Sequence, residues 1–249
     1  MRPLFTQLLS GAVLASACAG VFAAAEHEAV QRPFNLPPSA DLHYTLKARQ
    51  KGLALSGEAQ VAWRAGDGKY SLVNETKAQM LGKILDSRSE GTVDTYGIAP
   101  AQFVEKRFRK ESTTATFDRG AKTLSFSAGK ETYPLLGGEQ DRSSAQWQLA
   151  ALARAQPEKF TPGSEWRLFV AGRKDAQPWS FKVVKREKIS TGLGEVEAVH
   201  LSKAPPQGAK DQTVDLWLAP GHDWYPVQLR YSDEEGEFIE QTVDKINKK

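Results

Sequence analysis

Cysteine is almost absent from this sequence. The single one, Cys18, lies among the first 25 residues, so the rest of the chain can form neither a disulfide nor a thiolate metal site. Histidine is nearly as sparse, with only His27, His43, His200 and His222. No two of them stand at i, i+4 and no H-x-x-E-H run occurs, so the converging ligands that zinc needs are not signalled. Also missing are a G-x-S-x-G elbow, an S-x-x-K motif, a P-loop and a dinucleotide fingerprint. These absences argue against enzyme chemistry, and we assign no catalytic residue, no metal ligand and no cofactor. Beyond residue 25 no stretch approaches the roughly 18 apolar residues of a membrane helix. A large charge excess is lacking as well. The net charge is +3 on a mixed-sign sequence, so nucleic acid is not an expected partner.

What is present begins with an export pattern. Arg2 gives a positive start, and Leu8, Leu9, Ala12, Val13, Leu14 and Ala15 follow in a largely apolar stretch. Val21-Phe22-Ala23 and Ala23-Ala24-Ala25 place small residues where a signal peptidase reads, and no acid precedes Glu26. Residues 1–25 therefore read as a signal peptide and the mature protein as periplasmic. Ala15-Ser16-Ala17-Cys18 offers an alternative, a lipobox acylated at Cys18. Ala15 stands where a branched residue is usual, which favours simple cleavage near Ala23 or Ala25. Residues 26–40, with Pro33, Pro37 and Pro38, read as a flexible tether. Residues 41–249 read as a single β-rich domain.

From Asp41 onward the dominant period is two. Leu42, Tyr44, Leu46 and Ala48 alternate with polar neighbours, as do Ala59, Val61 and Trp63 and then Tyr70, Leu72, Asn74, Thr76, Ala78 and Met80. Gly66-Asp67-Gly68 predicts a tight hairpin turn. Gly97-Ile98-Ala99-Pro100, Asp118-Arg119-Gly120, Pro205-Pro206-Gln207-Gly208 and Glu234-Glu235-Gly236 punctuate further strand candidates. One segment differs. Residues 142–156 predict a helix, capped by Asp141 or Ser143 and stopped by Pro157. The expected fold is mainly β: a strongly curved antiparallel sheet or open barrel of roughly a dozen strands, with the central helix packed across its mouth or concave face.

Few side chains suggest chemistry. Lys106-Arg107-Phe108-Arg109-Lys110 is the densest basic run, but a strand splits its charge between two faces. If it acts, it suits anionic lipid headgroups. Asp233 to Glu237 reads as a solvated acidic turn. Gly137 to Ser143 reads as a loop and cap with Arg142 paired to an acid, or else as a pocket rim built on Asp141 and Arg142. Six tryptophans are spread over both halves. They read as core, or, if the curved sheet is incompletely filled, as a ligand-pocket lining that includes Trp147, Trp166 and Trp217.

Three short pieces together carry a family resemblance. They are Gly97-Ile98-Ala99-Pro100 with Phe103 and Arg107, Gln140-Asp141-Arg142-Ser143 leading into the helix, and Val214-Asp215-Leu216-Trp217-Leu218-Ala219-Pro220 with Tyr225-Pro226-Val227. In this order the chain resembles the exported bacterial proteins grouped as domain of unknown function 3108. The resemblance implies an exported location and a curved sheet similar to that of the periplasmic lipoprotein carriers. It implies no activity. The resulting expectation is a non-enzymatic domain that binds an apolar or acyl-bearing ligand or an envelope lipoprotein. The alternatives are an envelope structural or protein-interaction domain and a hydrolase with an unrecognised site.

Overall fold

Wherever apolar and polar residues alternate, the backbone is extended and paired. The computed structural model describes residues 27–50, 52–204 and 212–249. The signal peptide, Cys18 and the Pro205 to Gly208 turn expected from the sequence lie outside the described residues. Eight strands come first: β1 (Ala40–Gln50), β2 (Leu53–Gly66), β3 (Lys69–Ala78), β4 (Gly82–Asp94), β5 (Gly97–Arg107), β6 (Thr113–Asp118), β7 (Thr123–Phe126) and β8 (Thr132–Pro134). A short β9 (Gln140–Asp141) leads into α1 (Ser144–Ala155). Six more strands follow: β10 (Glu165–Ala171), β11 (Ala176–Thr191), β12 (Gly194–Lys203), β13 (Thr213–Ala219), β14 (Tyr225–Ser232) and β15 (Phe238–Lys248).

All fifteen strands belong to one sheet in the order β8-β7-β6-β5-β4-β3-β2-β1-β15-β14-β13-β12-β11-β10-β9. Its centre is the pairing of the first long strand with the last, Ala40 opposite Lys248. Pairing is antiparallel except between β9 and β10. Asp67 and Gly68 both take positive φ, 50° and 69°, which makes the two-residue turn between β2 and β3 the kind that matches strand twist. Pro100 lies within β5, not at a turn before it. It sits opposite Gly91 where the β4–β5 register slips, so its missing N–H breaks no ladder bond.

The two ends of the sheet curl toward each other and meet through side chains, without a hydrogen-bonded ladder. Phe103, Phe117, Leu124, Phe126 and Leu135 from one end pack with Phe169, Ala171 and Ala176 from the other. Both edge strands are very short, which leaves little backbone free to recruit a further strand.

α1 runs inside this curl. Nine of its twelve residues are buried, and they face two different clusters. Leu149, Leu152 and Ala153 pack with Phe160, Trp166, Val183 and Leu201, while Trp147 packs with Trp63, Leu72, Ile98 and Tyr225. A helix apolar on nearly every side is a buried rod, not an amphipathic cover. Its start matches the expected cap, because Asp141 Oδ1 accepts the N–H groups of Ser143 and Ser144, each at 2.8 Å. Ser143 itself makes no side-chain cap bond.

Residues 27–39 correct the expectation of a flexible tether. They form an extended strap laid along α1. Asn35 N–H donates to the Ala151 carbonyl at 2.9 Å, and Gln156 Nε2 donates to the Pro33 carbonyl at 3.2 Å. Trp63 Nε1 donates to Pro37 O at 3.0 Å, and Tyr225 Oη donates to Pro38 O at 2.8 Å. Phe34 and Leu36 pack against the two core clusters. Proline keeps this backbone extended, and side chains distant in sequence satisfy its carbonyls.

Candidate functional site

The polar side chains inside the curl gather where β9 turns into α1. Asp141 is fully buried there. Its Oδ2 accepts a 2.5 Å hydrogen bond from Ser89 Oγ, and Ser89 accepts one of 2.6 Å from Tyr70 Oη. Burial dominates the Asp141 carboxyl and pushes its pKa up to about 6, against the opposing pull of the Ser89, Ser143 and Ser144 donors. Asn74 Nδ2 joins the same region by donating to Ser87 Oγ and Ser143 Oγ, both at 3.0 Å. Gln140 Nε2 donates to the Ile98 carbonyl at 2.6 Å and ties the turn to β5. The network pins the helix start to β3, β4 and β5, and it holds Arg142 in a defined place.

Arg142 differs from its expected bland role. Among the described residues no carboxylate lies within ion-pair distance of it, and its Nε is buried without a hydrogen-bond partner. It lies against Gly172 in the β10–β11 turn. A Cβ on that glycine would stand only 3.3 Å from Nε and 3.4 Å from Nη2, so the missing side chain there leaves the guanidinium its space. On β5 the two-residue alternation places Phe103, Glu105 and Arg107 on one face. Arg107 Nε contacts the buried Glu105 Oε1 at 2.6 Å, and Arg173 Nε approaches the same oxygen at 3.5 Å. The Tyr231 hydroxyl, raised above its ordinary pKa chiefly by burial, also feels Arg142, Glu105 and Arg107. Two arginines therefore share the Glu105 carboxylate, and Arg142 lies next to them against Gly172, the residue before Arg173.

The three tryptophans expected at a ligand pocket divide between two core clusters. Trp147 is buried, stacked on Trp63 at 4.5 Å and edge-on to Tyr225 at 6.0 Å. Trp166 stacks on Phe160 at 4.2 Å in the other cluster. Trp217 is partly buried and packs against the cluster that holds Trp147, while Val214, Leu216 and Leu218 are the buried positions of β13. They do not form the shared lining expected from the sequence. The rim residues Asp141 and Arg142 are adjacent, but they play different parts. Asp141 is enclosed, and Arg142 is half-exposed. Sequence reasoning missed Glu105, Arg173 and Tyr231, and it treated Arg107 as one charge in a solvated run. The alternation through Phe103, Glu105 and Arg107 was the available signal.

A second polar group surrounds the partly buried Trp217. His200 stacks on it at 4.3 Å, and Nε2 of His200 bonds Asp215 Oδ1 at 2.8 Å. Trp217 Nε1 donates to Glu187 Oε1 at 3.0 Å. Ser202 hydrogen-bonds Asp215 as well. The acid thus lies between the imidazole and the hydroxyl, which is the wrong order for a base to activate a serine. Among the described residues no group of three or more His, Asp or Glu gathers to hold a metal ion. No helix among them is long and apolar enough to cross a membrane.

Comparison with known proteins adds the following. Residues 41–244 match the family model described as "Protein of unknown function (DUF3108)". No curated protein matches the sequence. A solved structure from Bacteroides fragilis, described as "a putative exported protein with YmcC-like fold", shares 11% identity. The alignment covers 89% of this chain and 100% of that one, with a TM-score of 0.33. A DUF1329 family protein from Desulfovibrio piger shares 7% identity over 85% of this chain and 86% of that one, with a TM-score of 0.29. A "putative lipoprotein" from Parabacteroides distasonis shares 10% identity over 88% of this chain and 100% of that one, with a TM-score of 0.31.

Proposed function

The chain belongs to the DUF3108 family, and from that premise we propose that it is an exported, non-enzymatic domain binding an acyl-bearing envelope component, lipid or lipoprotein. Export rests on the signal pattern of residues 1–25. The apolar contact is assigned to the open end of the sheet, because α1 and its partners already fill the curl. One observation carries this reading. Leu53 (66% exposed), Met80 (92%), Leu81 (45%) and Phe108 (37%) stand in water at the same end of neighbouring strands, whereas most large apolar side chains are enclosed. The pairings β2–β3, β3–β4 and β4–β5 set these tips side by side, and Phe108 N–H bonds the Ile84 carbonyl across the last of them. Grouped apolar exposure of this kind marks a contact surface.

The test uses the mature protein and a fluorescent fatty-acid analogue. We expect saturable binding that falls several-fold in a Leu53→Ser, Met80→Ser, Phe108→Ser variant with unchanged circular dichroism. Non-saturable partitioning, or equal binding by the variant, overturns the reading.

A further inference from the structure

We propose that Arg142, lying against Gly172, forms a phosphate-binding site together with the neighbouring Arg107–Glu105–Arg173 group; this rests on the acyl-binding reading and supplies its headgroup contact. Arg142 is the centre of the argument. The turn that carries it is locked on both sides, by the Asp141 carboxylate on two backbone N–H groups and by Gln140 on the Ile98 carbonyl. Such a turn fixes a long cation in place, yet the described residues offer that cation no acid and leave its Nε buried without an acceptor. A guanidinium left in that state is costly unless an acceptor arrives from outside.

The surroundings specify the kind of acceptor. Glu105 engages Arg107 and Arg173 through one oxygen, Oε1, so a single carboxylate serves two guanidinium groups. Arg142 adds a third positive charge beside them, because its guanidinium packs against Gly172, the residue before Arg173. The group therefore carries two positive charges beyond what Glu105 neutralises. A carboxylate ligand brings one negative charge and leaves a surplus. A phosphate monoester brings about −1.5 to −2 near neutral pH and offers three acceptor oxygens for forked guanidinium donors. Arg107 and Arg173 are partly exposed, so the site opens to solvent. Phe108, the residue after Arg107, is one of the exposed apolar tips, which places a headgroup contact beside an acyl contact.

Two sources present this chemistry: free phosphate and the headgroup of a lipid. The experiment measures inorganic phosphate binding by calorimetry. It also follows co-flotation with phosphatidylcholine vesicles, plain or doped with phosphatidic acid. Arg142→Gln and Arg173→Gln remove charge at the site. Arg88→Gln removes a cation that pairs with Glu90 away from it and serves as the control. We expect each site variant to weaken phosphate or phosphatidic acid binding about tenfold or more, the loss of a charge-assisted hydrogen bond. The control should stay within about twofold. Competition of inorganic phosphate with the doped vesicles, or binding of the vesicles alone, supports the site and tells the two sources apart. Wild-type protein that ignores both probes overturns the site. So does an Arg142→Gln protein with native circular dichroism that binds them as wild type does. The fatty-acid measurement above distinguishes the failures, since retained acyl binding leaves the broader reading standing while the headgroup site falls.

Discussion

Replacing Asp141 by Asn gives a pH signature that only the buried network produces. The Asp141 carboxyl has an ordinary pKa of 3.8 and sits at about 6 in the folded chain, mainly because burial disfavours its charge. Below pH 3.8 both folded and unfolded chains hold the proton. Between 3.8 and about 6 the unfolded chain releases it and the folded chain keeps it. The contribution to stability is therefore complete below the lower value and is lost as pH rises through about 6. At about 1.4 kcal/mol per pH unit the loss amounts to roughly 3 kcal/mol. An amide at this position keeps Oδ1 as acceptor for the Ser143 and Ser144 N–H groups and donates to Ser89, as the protonated carboxyl must also do. Asp141→Asn should thus lie within about 1 kcal/mol of wild type at pH 4 and be about 3 kcal/mol more stable at pH 7.5. Urea denaturation of both proteins across that range measures the difference directly, and the other carboxylates cancel in it. A swing below about 1 kcal/mol refutes the claim that burial controls this carboxyl.

Other outcomes follow from packing and from the strap. Trp147→Ala should cost about 3 to 5 kcal/mol in chemical denaturation, since it empties the stack on Trp63 inside the curl. Gly97→Ala should cost about 2 kcal/mol or more, because φ is 109° and a Cβ would meet the Gln148 amide at 2.5 Å. His27 is buried against Phe169, and burial holds its pKa below 6.5 despite Glu139 nearby. Strap docking should therefore weaken as pH falls below about 6.5, seen as faster hydrogen exchange at Asn35 after correction for intrinsic rates. His27→Gln should abolish that dependence, and an unchanged pH profile in the variant would rule the explanation out.

Local signals in the sequence revealed the strands well. Leu42, Tyr44, Leu46 and Ala48 face inward as their period predicts, and the Asp67-Gly68 turn falls where its chemistry places it. The helix starts two residues later than expected, because Asp141 caps it from β9. The strap was not legible. Its proline spacing describes an extended chain equally well free or docked, and its partners, Trp63, Ala151, Gln156 and Tyr225, lie far along the sequence. The same limit governs the site. Asp141 and Arg142 stood out as a polar turn, but Glu105, Arg173 and Tyr231 join it only after the sheet curls. Trp217 shows the opposite case. Its neighbours Val214, Leu216 and Leu218 mark the fully buried positions of β13 and leave it half-buried at the edge of the Trp147 cluster.

The junction between the two sheet ends has a mechanical consequence. In a fully laddered barrel, access to the interior requires breaking a row of backbone hydrogen bonds together. Here β5, β6 and β7 meet β10 and β11 through aromatic and aliphatic contacts, with the strap's His27 stacked on Phe169 at the same place. Nondirectional contacts of this kind can slide or part a few at a time, leaving every ladder intact, up to the side-chain hydrogen bonds of Gln140 and Asp141 that hold β9 to β5 and β4. The molecule is thus built like a cuff with a greasy clasp, and α1 lies directly behind the clasp.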